Sequence, residues 1–111
     1  MSERSEHVVV QVTTGTRAEA ERIASAAVEQ RLAASAQVSA LRTWYRWKGA
    51  VHEADEHRVD LFTVAARFEM LAQLVTGLHS YELPQIVSVP LRQGTPEFLR
   101  WIEDGTSDGE A

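Results

Sequence analysis

One short segment of the sequence carries three side chains that can contact a polar ligand or a cation. The run His79-Ser80-Tyr81-Glu82-Leu83-Pro84 places an imidazole, a phenol and a carboxylate within four positions. Imidazole is a common metal ligand, and a carboxylate accepts hydrogen bonds or holds a cation. A single His after a helix is also often a C-terminal cap, and Leu83-Pro84 can be a rigid turn. The segment therefore predicts a binding loop, with a purely structural role as the alternative.

Three large aromatic residues, Trp44, Tyr45 and Trp47, lie beside a predicted hairpin turn. A single small domain has little core in which to bury all three. Exposed aromatic patches on soluble proteins mark contact surfaces. We therefore expect another subunit or a ligand to cover them, and burial against the last helix of the chain is the alternative.

A second candidate for metal binding lies on one predicted strand, where Glu53, Asp55 and His57 alternate. Side chains two positions apart share one face of a strand. They could converge on a cation if the strand bent or another chain added ligands. A solvated charged face is the more common outcome, and it is the one we expect.

The sequence lacks the motifs of common enzyme classes, namely Gly-x-Ser-x-Gly, a phosphate-binding glycine-rich loop and His-Glu-x-x-His. It contains no Cys, which excludes thiolate nucleophiles, thiolate metal sites and disulfides. We therefore expect a protein that acts by binding and is not an enzyme.

The net charge and the length of the chain limit which kinds of partner are expected. The chain has 111 residues, enough for one domain, with 11 Lys and Arg against 16 Asp and Glu and a net charge of −5. Nucleic acids and anionic lipids attract clustered cations, so neither is an expected partner. No run approaches the ~20 apolar residues of a membrane span, and the start lacks the apolar core of a signal peptide. The predicted compartment is the cytoplasm.

These side chains must be positioned by a chain that alternates between strand and helix patterns. Strands are predicted at residues 8–12, 36–47, 51–65 and 86–89, and helices at 17–31, 66–79 and from 96 onward. Thr16 and Glu19 have the spacing of a capping box, and Thr95-Pro96 is a typical helix start. A two-residue loop at Lys48-Gly49 would pair Arg42 with Asp55 and Val38 with Val59.

The element order predicts an α+β fold of the ferredoxin-like βαββαβ plan with an extra C-terminal helix. Its antiparallel four-stranded sheet would carry two helices on one face. The predicted domain covers residues 7–103, with flexible segments at 1–6 and 104–111. Because many unrelated functions use this fold, it does not by itself decide what the protein does.

Several motifs, in the same order, resemble the CutA family of divalent-cation tolerance proteins. The resemblance covers about residues 7–102. The matching segments are 8–13, Arg31-Leu32-Ala33-Ala34, Tyr45-Arg46-Trp47-Lys48-Gly49, His79-Ser80-Tyr81-Glu82-Leu83-Pro84-Gln85-Ile86, Val89-Pro90, and Gly94 with Phe98-Leu99-Arg100-Trp101-Ile102.

The resemblance implies a tight homotrimer, similar in plan to the PII signalling proteins, with long hairpin strands that bridge neighbouring subunits. It also implies a ligand cleft, and no enzymatic reaction comes with it. The implied ligand is a divalent metal such as copper or zinc, or a small molecule. The cleft positions that match are Tyr45, Trp47, His79, Tyr81 and Glu82.

The sequence departs from the family at several charged or metal-binding positions. Ser35 and Val12 stand where some relatives carry Cys, which leaves His79 as the matching metal ligand. Neutral residues also replace charged ones that relatives usually carry, at Ala50, Phe62 and Gln85.

Two functions remain in competition. The first is a CutA-like trimer that acts in divalent-cation tolerance by binding. The second is a PII-like trimer that binds a nucleotide or another small molecule and has no role with metals. An RNA-binding module would need aromatic residues on the central strands and a basic face, and an acyl-phosphate hydrolase would need a motif that is absent.

Overall fold

The computed structural model describes residues 6–108 of the chain. Residues 1–5 of the predicted lead and 109–111 of the predicted tail lie outside them. The elements, in chain order, are β1 (His7–Thr14), α1 (Arg17–Glu29), β2 (Ser35–Trp47), β3 (Ala50–Val64), a 3-10 turn (Ala65–Arg67), α2 (Phe68–Leu78), β4 (Ile86–Pro90) and α3 (Pro96–Gly105). None of the helices in this part of the chain is long and apolar enough to cross a membrane.

The four strands form one antiparallel sheet in the order β2-β3-β1-β4. This topology confirms the predicted ferredoxin-like α+β fold. Lys48 and Gly49 form the hairpin turn with positive φ angles of 49° and 83°, as a two-residue turn requires. The predicted register is also confirmed, because Arg42 lies opposite Asp55 and Val38 opposite Val59.

The core lies between the sheet and the helices α1 and α2. Alternate residues of the two central strands, such as Val10 and Leu61, are fully buried against α1 and α2. Ile23 of α1 and Leu71 of α2 are equally buried in the same cluster. Alanines fill the rest of the α1 stripe, which lets that helix approach the sheet closely.

The third helix packs on the opposite face of the sheet. Phe98 of α3 contacts Phe62 of β3 edge to face, with ring centroids 6.1 Å apart. At the start of β1, His7 Nε2 lies 2.7 Å from Glu103 Oε2, which ties α3 to the sheet. Thr95 is the N-cap of α3 and Pro96 begins the helix, although the Thr95 side chain makes no capping hydrogen bond.

The packed region extends beyond residue 103, the predicted end of the domain. Helix α3 continues to Gly105, and Thr106 is buried with its hydroxyl donating to the Ile102 carbonyl oxygen at 2.9 Å. The Arg67 guanidinium donates to the Thr106 carbonyl at 2.9 Å and to Asp108 at 2.6 Å. The Arg67 side chain, from the turn before α2, thus bonds to the chain just after the end of α3.

The β2–β3 hairpin forms a long arm. Residues 47 and 50 still pair at its tip, and the described chain measures 47 × 26 × 21 Å. Helix α3 packs against Phe62, far along β3 from this tip, so it does not cover the aromatic residues of the arm as the alternative above required.

Candidate functional site

The segment 79–85, which we call the cleft loop, connects α2 to β4 and is anchored by a buried carboxylate on α1. Glu19 Oε2 accepts a hydrogen bond from the Ser80 backbone N–H at 2.6 Å, and Oε1 accepts one from the Ser80 hydroxyl at 3.1 Å. Thr16 Oγ1 caps α1 by accepting from the Glu19 N–H at 3.1 Å. The predicted capping box is thus half formed, because the Glu19 carboxylate turns away from Thr16 to hold the cleft loop.

His79 is a structural part of the same anchor. Its side chain is fully buried, and Nε2 lies 2.7 Å from the Thr13 carbonyl oxygen, which can only accept a hydrogen bond. Nδ1 accepts from the Tyr81 backbone N–H at 3.1 Å, so the ring is the neutral tautomer with its proton on Nε2. A metal ion would have to displace one of these bonds. The predicted role of His79 as a metal ligand therefore does not fit this geometry.

The Tyr81 side chain is bonded to a buried acid on β3. Its hydroxyl donates to Glu56 Oε2 at 2.6 Å, and Glu56 is only 6% exposed. Gly15 leaves room for the ring, because a Cβ there would make a tight contact of 3.2 Å with the Tyr81 hydroxyl oxygen. The His79 ring packs against the Tyr81 ring at 4.9 Å. Tyr81 is thus held in place from three sides.

A pocket of about 310 Å³ opens between the hairpin arm and the cleft loop. It lies on the sheet face opposite α1 and α2, because Thr43, Tyr45 and Trp47 alternate with residues that face the other way. Its full lining is Thr13, Thr43, Tyr45, Trp47, Glu56, Tyr81, Glu82, Leu83 and Gln85. Four of the five predicted cleft residues meet here, and the fifth, His79, lies behind Tyr81 and outside the lining.

An ammonium group lies at the rim of the pocket. Lys48 Nζ is 3.8 Å from Glu82 Oε1 and 5.6 Å from the centroid of the Trp47 ring. Both charged side chains are largely exposed to solvent, so this ion pair contributes little to stability. Deeper in the arm, the Tyr45 ring stacks on His52 at 5.4 Å, which fixes one wall of the pocket.

The opposite face of the arm carries the charged residues of the second metal candidate. Arg42 donates to Asp55 at 2.8 Å and lies 3.3 Å from Glu53, and these two partners raise its pKa, with the Asp55 hydrogen bond contributing most. The described residues contain no group of three or more His, Asp or Glu side chains arranged to hold a metal ion. Trp44 shares this face and is 63% exposed, so the three aromatic residues do not form one patch.

The environment of Tyr81 shifts the pKa of its hydroxyl, and a pH titration can measure this shift. Burial, followed by the hydrogen bond to Glu56, raises the pKa of Tyr81 above its ordinary value of 10.0. The folded chain thus keeps this proton at a pH where the unfolded chain loses it. The contribution of Tyr81 to stability is complete below about pH 10 and declines as the pH rises beyond it.

Absorbance at 295 nm follows tyrosine ionisation. In a pH titration we expect a late component, that is, one tyrosine that ionises at a higher pH than an ordinary tyrosine, and we expect the variant Tyr81→Phe to lack it. Heating the protein or adding denaturant should move this component to lower pH. A titration in which Tyr81→Phe leaves the late component in place would contradict the Tyr81–Glu56 hydrogen bond.

The sequence did not single out Glu56, nor the anchoring role of Glu19. Glu56 sits between the candidate residues Asp55 and His57, but the strand alternation turns it to the pocket side. The alternation could have predicted this position. Glu56 lies four residues after His52 on β3 and therefore on the same face, and His52 is paired with Tyr45. No comparable signal marks Glu19, because its partner Ser80 lies 61 positions away.

The fold and this cleft define a small α+β protein with a ferredoxin-like sheet and a pocket between a long hairpin and the loop before β4. Residues 8–105 match the CutA1 divalent ion tolerance protein family. The divalent-cation tolerance protein CutA of Thermus thermophilus is 38% identical over 99 residues, which cover 88% of this chain and 96% of that protein. The chain therefore belongs to the CutA family.

Solved structures show the same relationship. The structure of the periplasmic divalent cation tolerance protein CutA from Archaeoglobus fulgidus superposes with a TM-score of 0.89 at 31% identity, covering 91% of this chain and 99% of that one. The divalent cation tolerance protein from Thermus thermophilus gives a TM-score of 0.88 at 36% identity with the same coverage.

Proposed function

We propose that this protein acts in divalent-cation tolerance by binding, as a cytoplasmic homotrimer, and that it catalyses no reaction. The family match supports the role in tolerance. The observation that carries the proposal is the pocket, which combines two carboxylates, Glu56 and Glu82, with aromatic walls. Such a pocket favours a cation over an anion.

The contacts in the cleft loop support binding in place of catalysis. Ser80, His79 and Glu19 adjoin one another, yet they do not form a hydrolytic triad. The Ser80 hydroxyl donates to Glu19, and both nitrogens of the His79 ring are bonded to backbone groups. No hydrogen bond links the imidazole to the serine hydroxyl among the described residues, so the imidazole is not placed to take its proton.

The charges of the pocket also favour a cation over a nucleotide. Two carboxylates line it, and Lys48 supplies a single exposed ammonium at its rim. Nucleotide phosphates are held by clustered cations or by glycine-rich backbone, and the lining contains neither. The PII-like alternative gains no support from this geometry.

Equilibrium dialysis against Zn²⁺ and Cu²⁺ tests the role with metals. We expect weak binding, because a stable site takes three or four converging ligands. The double variant Glu56→Gln with Glu82→Gln should lower the affinity about tenfold or more, since it removes both pocket charges. Glu53→Gln with Asp55→Asn is the matched control, because it removes two carboxylates from the far face of the same arm.

Two results would contradict the proposal. One is metal binding that the double variant leaves unchanged, which would place the metal elsewhere. The other is thermal stabilisation of the protein by ATP without any effect of the metals, which would favour the nucleotide-binding alternative.

A further inference from the structure

The walls of the pocket offer apolar surface in addition to the two carboxylates that attract a cation. The rings of Tyr45, Trp47 and Tyr81 and the side chain of Leu83 line it together with the two carboxylates. A metal ion would use the carboxylate oxygens and would leave the aromatic faces without a contact. Aromatic faces next to carboxylates also suit an organic cation, whose charge is attracted to the ring and whose apolar body packs against it.

The chain itself shows this kind of contact at the rim of the pocket. The ammonium of Lys48 lies near the Trp47 ring and within 3.8 Å of the Glu82 carboxylate. The Lys48 side chain is 70% exposed, so it is a weakly held occupant that a ligand can displace. An alkylammonium group thus already fits between this ring and this carboxylate.

The interior of the pocket continues the same pattern. Glu56 is buried, and its Oε2 is bonded to the Tyr81 hydroxyl. Among the described residues no hydrogen bond is formed to the other oxygen of Glu56. A cation that enters past Trp47 therefore meets a second negative charge at the floor, in surroundings where water screens it less than at the rim.

We propose that the pocket binds an organic ammonium ion with an apolar body. Its charged head lies between the Trp47 ring and the two carboxylates, and its body packs against Tyr45, Tyr81 and Leu83. This inference rests on the proposed function, in which the cleft acts by binding, and it names the chemical class of the ligand. A volume of about 310 Å³ suits a small molecule.

Isothermal titration calorimetry with the full chain tests the proposal, using benzylammonium as the probe and benzyl alcohol as its uncharged counterpart. We expect benzylammonium to bind about tenfold or more tightly than benzyl alcohol, because both offer the same ring and one carries the charge. Glu82→Gln should weaken benzylammonium binding about threefold to tenfold without affecting benzyl alcohol. Glu82 is exposed, so this variant is expected to fold normally.

Removing the Lys48 ammonium provides a second test, in which binding is expected to become stronger. Lys48→Gln should strengthen benzylammonium binding about threefold, because the probe no longer competes with Lys48 for Glu82. Arg46→Gln is the matched control, since it removes the same charge two residues earlier from the face of the arm that points away from the pocket. If both variants strengthen binding equally, the effect is one of overall charge and competition with Lys48 is refuted.

The outcomes separate this inference from the proposed function. Equal affinity for the two probes would show an apolar pocket without selectivity for cations and would overturn the inference. The absence of measurable binding of either probe would overturn it as well. Neither result changes the oligomeric mass or the metal dialysis, which test the proposed function independently.

Discussion

Replacing Glu19 with Ala is expected to lower the free energy of unfolding by about 3 kcal/mol and to release the cleft loop. The carboxylate is 4% exposed and accepts two hydrogen bonds from Ser80. Hydrogen bonds to a charged group contribute roughly 1.5 to 3 kcal/mol each, and the variant also leaves the Ser80 N–H without its partner. Urea unfolding at a fixed protein concentration measures the loss.

The isosteric variant Glu19→Gln is the control for this prediction. An amide oxygen can still accept from the Ser80 N–H, so we expect a loss of about 1 kcal/mol. Because the loop carries Tyr81, Glu82 and Leu83, Glu19→Ala should also weaken ligand binding in the pocket more than Glu19→Gln does. If Glu19→Gln is as stable as the unmodified protein, the charge of the carboxylate does not contribute to the anchor. If Glu19→Ala is also as stable as the unmodified protein, the anchor itself is refuted.

The second large effect is expected in the mass of the protein in solution. Light scattering at micromolar concentration should give three times the 12.4 kDa mass of the chain. On the hairpin arm, Trp44 is 63% exposed and Val51 is 61% exposed. The edge strands β2 and β4 also present backbone groups that no other strand of the described chain pairs with. Such surfaces are stable in water when another subunit covers them.

Trp44→Ser is expected to weaken this assembly, because it removes the largest exposed apolar side chain of the arm. Met70→Ser is a matched control, since Met70 is also exposed but lies on α2, away from the arm. A mass of 12.4 kDa for the unmodified protein would refute the trimer. A trimer that Trp44→Ser leaves as tight as before would place the interface elsewhere.

Local signals explain the success of the predicted fold. Strand alternation and helical spacing depend on residues within a few positions of one another, and these gave the order of the elements. The turn at Lys48-Gly49 then set the register, because a two-residue loop allows one pairing of the flanking strands. The aromatic residues and the loop at 79–84 were also visible as candidates, because their types and clustering are local properties.

The role of each candidate depended on partners far away in the chain. The sequence could not tell a metal-binding His79 from one whose nitrogens are bonded to Thr13 and Tyr81, since Thr13 lies 66 positions away. The end of the packed region was likewise set by Arg67, which reaches Thr106 across 39 positions.

Local patterns along the chain were enough to predict the fold class and the register of the hairpin, and they marked the aromatic residues and the loop at 79–84 as candidates. Packing then settled which candidates line the pocket, because it left His79 outside the lining and brought Glu56 into it. Strand alternation turns Glu56 to the pocket side of β3, and packing of the cleft loop brings the Tyr81 hydroxyl within 2.6 Å of it. Periodicity constrains neighbours along one element, whereas hydrogen bonds between elements depend on distances that packing sets after the elements have formed.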